Sequence, residues 1–272
     1  MPVLTIRRSF LLTILFPIAL LALVAFTASG ARAADGDSIQ WTIRQLAVDG
    51  NEGIDIADFD KDGKLDVVAG RSWYAAPHFV NRPVRIIEDW NGYVQSNGDY
   101  AYDVDGDGWT DVIAGSFVPT EVNWFRNPGA EQLRLGKMWP KQLLVDTKTS
   151  TNEGQLFEDM DGDGVPEWIV NSWSKDVPMH IWKIDSEKRT VKQGNKDVEK
   201  DTPTLRKIVV GTKGNGHGIG VGDLNGDGRN DILVGQGWYE NPSDKLVDGW
   251  KFHADWDAHV SIPVIVRDLD GD

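Results

Sequence analysis

Apolar positions in this chain come in short runs that alternate or pair, and few segments carry the three-to-four-residue period of an amphipathic helix. An alternating segment such as Gly53-Ile-Asp-Ile-Ala57 leads into an acidic turn, and an aliphatic pair follows the turn: Val67-Val68, Val112-Ile113, Trp168-Ile169 or Ile232-Leu233. An aromatic segment comes next (Trp73-Tyr74, Trp124-Phe125, Ile181-Trp182, Trp238-Tyr239). A fourth apolar segment closes each unit: Val84 to Ile87, Lys141 to Val145, Leu205 to Val210 and Trp250 to His253. Each unit therefore predicts four strands, the first two joined by a hairpin. Four-stranded units in tandem at about 45 to 60 residues predict an all-β chain, a β-propeller built of four-stranded blades. The blades fall at about 52–90, 97–147, 153–210 and 217–257, and a fifth, 262–272, begins but does not finish. The chain thus reads as the first part of a longer propeller, with Trp41 to Val48 as a lone fourth strand that completes the last blade. Asp185 to Thr202, rich in Lys and Glu, reads as a solvated surface loop inserted in the third unit.

The acidic turns share one nine-residue pattern, with an acid or amide at positions 1, 3, 5 and 9 and Gly at position 6. The first is Asp58, Asp60, Asp62 and Asp66; the second is Asp103, Asp105, Asp107 and Asp111. The third is Asp159, Asp161, Asp163 and Glu167, the fourth Asp223, Asn225, Asp227 and Asp231, and Asp268, Asp270 and Asp272 open a fifth. So many carboxylates in nine residues repel one another unless a hard cation sits among them, and calcium suits the spacing. The residue at position 7 (Lys64, Trp109, Val165, Arg229) can add its carbonyl whatever its side chain. One Ca2+ per complete motif gives four. An EF-hand is excluded, because its loop is longer and lies between helices; an acidic Asp/Gly turn without metal is the competing reading.

The formal charge of −14 changes meaning in this light, because 18 of the 42 acidic residues lie in the motifs and leave 24 against 28 basic ones elsewhere. No basic stripe offers a nucleic-acid surface. The absence of cysteine excludes thiol chemistry and disulfides. Residues 1–33 read as a bacterial signal peptide: Arg7-Arg8, an apolar run from about Phe10 to Phe26, and Ala31-Arg-Ala33 before the cut. Export to the periplasm or beyond follows, with no permanent membrane span, and Arg7-Arg8-Ser9-Phe10-Leu11 reads equally as a twin-arginine signal or an ordinary basic start.

The hairpins resemble the FG-GAP and VCBS repeats of integrin alpha-subunit propellers and exported bacterial proteins, over nearly all of residues 40–272. The resemblance implies a calcium-binding propeller, commonly of about seven blades, and a partner that is a carbohydrate or another protein. Gly216-His217-Gly-Ile-Gly-Val-Gly-Asp223, Gly237-Trp238-Tyr239-Glu-Asn-Pro242 and His259 to Pro263 are also similar to the propeller part of aldos-2-ulose dehydratase-like proteins, which implies a lyase or isomerase acting on sugar derivatives.

If each hairpin turn carries the acids, the loops at its other end form the opposite face. Six residues before each motif stand Glu52, Asn97, Glu153 and His217, expected to ring the channel mouth as ligand-binding residues, with His217, Glu52 and Glu153 the candidate acids or bases. Trp90, Tyr93, Asn152, Asn215, Trp256 and His259 come from the same loops. The alternative is that these polar residues cap turns, since Asn-Glu-Gly occurs at both 51–53 and 152–154. His78, His180 and His253 read as structural. Binding module and enzyme both remain open at this level.

Overall fold

The computed structural model describes residues 41–175, 177–243, 245–258 and 264–267; the export segment, His259 and the fifth motif lie outside them. Four antiparallel sheets follow in chain order, each of four strands hydrogen-bonded in sequence. The first is β1 (Asp55–Ala57), β2 (Asp66–Ala69), β3 (Ser72–Ala75) and β4 (Val80–Pro83). A small hairpin, β5 (Asp89–Trp90) with β6 (Tyr93–Val94), separates it from the second: β7 (Gly98–Tyr102), β8 (Asp111–Gly115), β9 (Glu121–Phe125) and β10 (Lys141–Asp146). A short helix, α1 (Gly129–Arg134), interrupts the second sheet before β10. The third is β11 (Asn152–Glu158), β12 (Glu167–Ser172), β13 (Met179–Gln193) and β14 (Lys196–Gly211), and the fourth β15 (Gly220–Gly222), β16 (Asp231–Val234), β17 (Gly237–Glu240) and β18 (Lys251–His253).

Side-chain alternation explains why the second strands read as apolar pairs. In β8 every residue is buried, because Val112 and Ala114 join the core shared with the first sheet while Ile113 joins the core shared with the third. In β12, Trp168 and Val170 face the second sheet and Ile169 faces the fourth. Each inner sheet is thus packed on both faces by its neighbours, a propeller-like arrangement with three successive hydrophobic layers. The first strands approach most closely: a Cβ at Gly53 would sit 2.7 Å from the backbone N of Asp99, and one at Gly154 would sit 2.8 Å from the His217 carbonyl. These positions, five before each motif, need glycine because a neighbouring strand occupies the space.

Three local expectations are corrected. Val84 to Ile87 is not the fourth strand of the first sheet, which is Val80–Pro83. The chain turns inward after Pro83: Val84 is buried, its N–H and that of Arg85 both reach the Arg71 carbonyl, and Arg85 enters a buried ion pair. Trp41 to Val48 forms no strand. The insertion Asp185 to Thr202 is not a loop but the outer half of a long hairpin, paired without a break from Asp185–Thr204 to Gln193–Lys196. Gly194, at φ 64°, starts its two-residue turn. Arg189 and Thr204 donate to the carbonyls of Leu143 and Leu144, which lays this arm along β10 of the preceding sheet.

His180 on β13 is 3% exposed, and burial, reinforced by Lys207 and opposed by Asp248, pushes its imidazole down to about 4. An unfolded histidine titrates near 6.5, so the folded state resists protonation between the two values. Its contribution, at most about 3 kcal/mol, is present above the unfolded value and lost as pH falls toward the folded one. The loss of urea resistance between pH 7 and pH 4.5 is expected to shrink in His180→Gln. An identical loss in the variant would refute this assignment.

Candidate functional site

The four acidic turns adopt one hydrogen-bonded form. The position-1 carboxylate accepts the N–H of the position-6 glycine in each: Asp58 from Gly63 at 2.9 Å, Asp103 from Gly108 at 2.7 Å, Asp159 from Gly164 at 2.9 Å and Asp223 from Gly228 at 2.8 Å. Those glycines lie at φ 82–86°, where a side chain would be strained. The position-5 carboxylate accepts the N–H of Lys64, Trp109, Val165 or Arg229 at 2.8–2.9 Å. Position 9 is fully buried in every copy. Asp66, Asp111 and Asp231 each accept the N–H of position 2 and a second N–H beyond the third strand, from Ala76, Asn127 and Asn241. The last acid of the motif is therefore also the clamp that closes the hairpin onto its sheet. Asn127 and Asn241, both buried, then donate to the Phe59 and Met160 carbonyls and bind each turn to that of the preceding sheet.

Three turns gather carboxylates with oxygens within 4.8 Å of one another: Asp58, Asp60 and Asp62; Asp103, Asp105 and Asp111; Asp159, Asp161 and Glu167. Asp60 Oδ1 and Asp161 Oδ1 are buried without a hydrogen-bond partner, as ligand oxygens awaiting a cation would be. Burial pushes Asp111 up to about 7, with two backbone N–H groups opposing and Asp105 and Asp107 adding to it. A bound divalent ion acts in the opposite direction. The donor set of all-oxygen, mostly anionic ligands fits a hard cation. Asp268, Asp270 and Asp272 lie outside the described residues.

At the other end of the hairpins, Glu52, Asn97, Glu153 and His217 line one cavity of about 450 Å³. They do not contribute equally. Glu153 Oε1 lies 3.0 Å from His217 Nδ1, and burial raises the Glu153 pKa, with His217 opposing and Glu52 adding to it. Asn97 instead braces the wall: its amide donates to the Asn152 carbonyl and accepts from Gln155, both at 2.8 Å. Trp90 and Tyr93 also line the cavity. Asn152 is buried, Asn215 donates to the carbonyls of Ser172, Ser174 and Val177, and Trp256 donates to Val234; these three hold loops together.

Phe117 and Trp173, which no motif marked, also line the cavity. Trp90, Phe117, Trp173 and His217 form a continuous arc of ring contacts, with centroids 5.8, 6.4 and 4.2 Å apart. Phe117 and Trp173 each stand six residues after position 9 of their motif, where the first and fourth units have Ser72 and Gly237. Aligning the units on that position would have found them. His253 instead stacks on Trp238 at 4.1 Å and bonds Glu240 at 2.6 Å, away from the cavity.

Residues 103–170, which span the second and third acidic turns, match the FG-GAP-like repeat family, and residues 215–243, around the fourth, match the FG-GAP repeat. These stretches of the chain carry FG-GAP repeats. No curated protein matches it, so the narrower likeness to aldos-2-ulose dehydratase gains nothing from comparison. The matched stretches contain the second, third and fourth acidic turns together with Phe117 and His217 of the cavity wall. Among the described residues no helix is long and apolar enough to cross a membrane.

Proposed function

We propose that this is an exported, calcium-stabilised β-propeller module that binds a carbohydrate in the cavity opposite its acidic turns. The observation that carries the reading is the aromatic arc from Trp90 to His217, set beside Glu52 and Glu153 across four consecutive sheets. A sugar offers apolar C–H faces to stack on rings and hydroxyls to bond carboxylates, and this wall supplies both. Trp173 is half exposed, so its ring is available to a ligand. Calcium enters as a staple in the turns, remote from the ligand, and the N-terminal segment would deliver the chain across the membrane.

A second reading has its own support in the Glu153–His217 contact. A carboxylate that orients an imidazole beside a concave site is the arrangement of a general base, which suits a lyase or isomerase acting on sugar derivatives. Titrating the protein with neutral and uronic oligosaccharides, followed by tryptophan fluorescence, tests both. Trp173→Ala is expected to weaken binding about tenfold, the loss of one stacking contact. An unchanged affinity in that variant would contradict the site. His217→Ala should abolish turnover under the second reading and only weaken binding under the first.

A further inference from the structure

Although the four acidic turns share one backbone form, they differ in what stands across the ladder from their last acid. The pairings Val67 with Tyr74, Val112 with Phe125, Trp168 with Trp182 and Ile232 with Tyr239 place the next residues, one step on, opposite position 9. Those residues are Ala75, Arg126, Lys183 and Glu240. Ala75 brings no charge, and Glu240 is held by His253 and Lys251. Arg126 pairs with Asp105 and Asp107 and makes no ion pair with Asp103 or Asp111.

Lys183 is different. Its ammonium enters the third turn and lies 2.6 Å from Asp161 Oδ2, 2.8 Å from Asp163 Oδ2 and 2.9 Å from Glu167 Oε1, with only 18% of the side chain exposed. All three of its N–H bonds are used. Asp161 and Glu167 are also two of the three residues whose oxygens converge in this turn. An ammonium held by three carboxylate oxygens would have to be displaced before a divalent ion could bind, and the two charges would otherwise repel at contact distance.

Resting on the reading of the turns as cation sites, we infer that Lys183 replaces the ion in the third turn, so that the chain binds no calcium there. The turn has nevertheless kept its ion-binding shape: the Asp161 side chain is only 9% exposed, and its Oδ1 is left without a partner. Removing the ammonium therefore uncovers a usable site. The sheet that carries Glu153 and Trp173 then keeps its hairpin closed at any calcium concentration, and that wall of the cavity is independent of the ion supply.

Native mass spectrometry on the full chain, stripped with chelator and returned to about 1 mM free calcium, the range served by extracellular calcium modules, counts the ions directly. Lys183→Ala is expected to bind one ion more than the natural protein, and Lys183→Met, which keeps the volume and removes the charge, provides the same test if the smaller side chain disturbs folding. Asp163→Asn in the natural background should leave the count unchanged. An unchanged count in the folded Lys183 variant, or one ion lost on Asp163→Asn, would overturn the inference. Asp60→Asn reports separately on the cation reading of the first turn: if it loses no ion while Lys183→Ala gains one, that reading fails and the role of Lys183 stands.

Discussion

Replacing Asp99 by alanine is expected to destabilise the protein by about 3–5 kcal/mol, the cost of leaving a buried charge without its partner. Asp99 is fully buried at the start of β7, and Arg85, 5% exposed, reaches it from the end of the first sheet. The carboxylate also accepts the Gly70 N–H at 2.6 Å and the Ser96 hydroxyl at 2.9 Å. Arg85 in turn donates to the Gly70 carbonyl at 2.9 Å and to Ser96 at 2.7 Å, and its guanidinium lies 5.0 Å from the centre of the Phe125 ring. The pair therefore locks the first sheet to the second where their strands come closest. Alanine leaves the buried guanidinium without its counter-charge and the Gly70 N–H without its acceptor. Urea denaturation should show the loss as a lowered midpoint; a change under about 1 kcal/mol would mean that water satisfies Arg85. The double change Arg85→Met with Asp99→Leu should cost less than Asp99→Ala, since no charge remains to be buried.

The second large effect is expected from calcium removal. An ion that binds only the folded state stabilises it by about 2.7 kcal/mol per site at a hundredfold excess over its dissociation constant. Asp60 Oδ1, buried without a partner in the first turn, and the clustered acids of the second give the ion its largest leverage there. With a chain of this size, each kcal/mol moves the melting temperature by about 2–4 °C. Excess chelator should then lower the midpoint by at least about 5 °C, and magnesium should restore less of it than calcium, because it demands stricter geometry. An unchanged melt would leave the turns as metal-free acidic caps. Lys183 reduces the expected size of the effect by one site.

The acidic turns, the aliphatic second strands and the aromatic third strands were legible because each obeys a short-range rule. A nine-residue pattern dictates a turn, and two buried faces dictate an unbroken apolar run such as Val112-Ile113-Ala114. What escaped depends on partners distant in sequence. Val84 and Arg85 have the apolar and long side chains of a strand, but Arg85 is drawn out of the sheet by Asp99. Asp185 to Thr202 is charged enough for a solvated loop, and its strand form comes from the outer edge of β10, which Arg189 and Thr204 grip. Trp41 to Val48 has the alternation of a strand but does not form one. At the cavity, counting back from the acids led to Glu52, Asn97, Glu153 and His217, yet it could not show that the Asn97 amide is spent on Asn152 and Gln155. Phe117 and Trp173 were hidden because an aromatic residue just past a strand reads as core, whereas here the turn exposes it to the cavity.

A crystal structure of the calcium-loaded protein soaked with an oligosaccharide that quenches its tryptophan fluorescence tests the central claim most directly. The account predicts sugar density lying against Trp173 and Phe117, with hydroxyls within hydrogen-bond reach of Glu153 or His217, and ion density confined to the acidic turns at the opposite ends of the hairpins. Sugar bound at the acidic turns, or on the outer strands with the cavity unchanged, would contradict it.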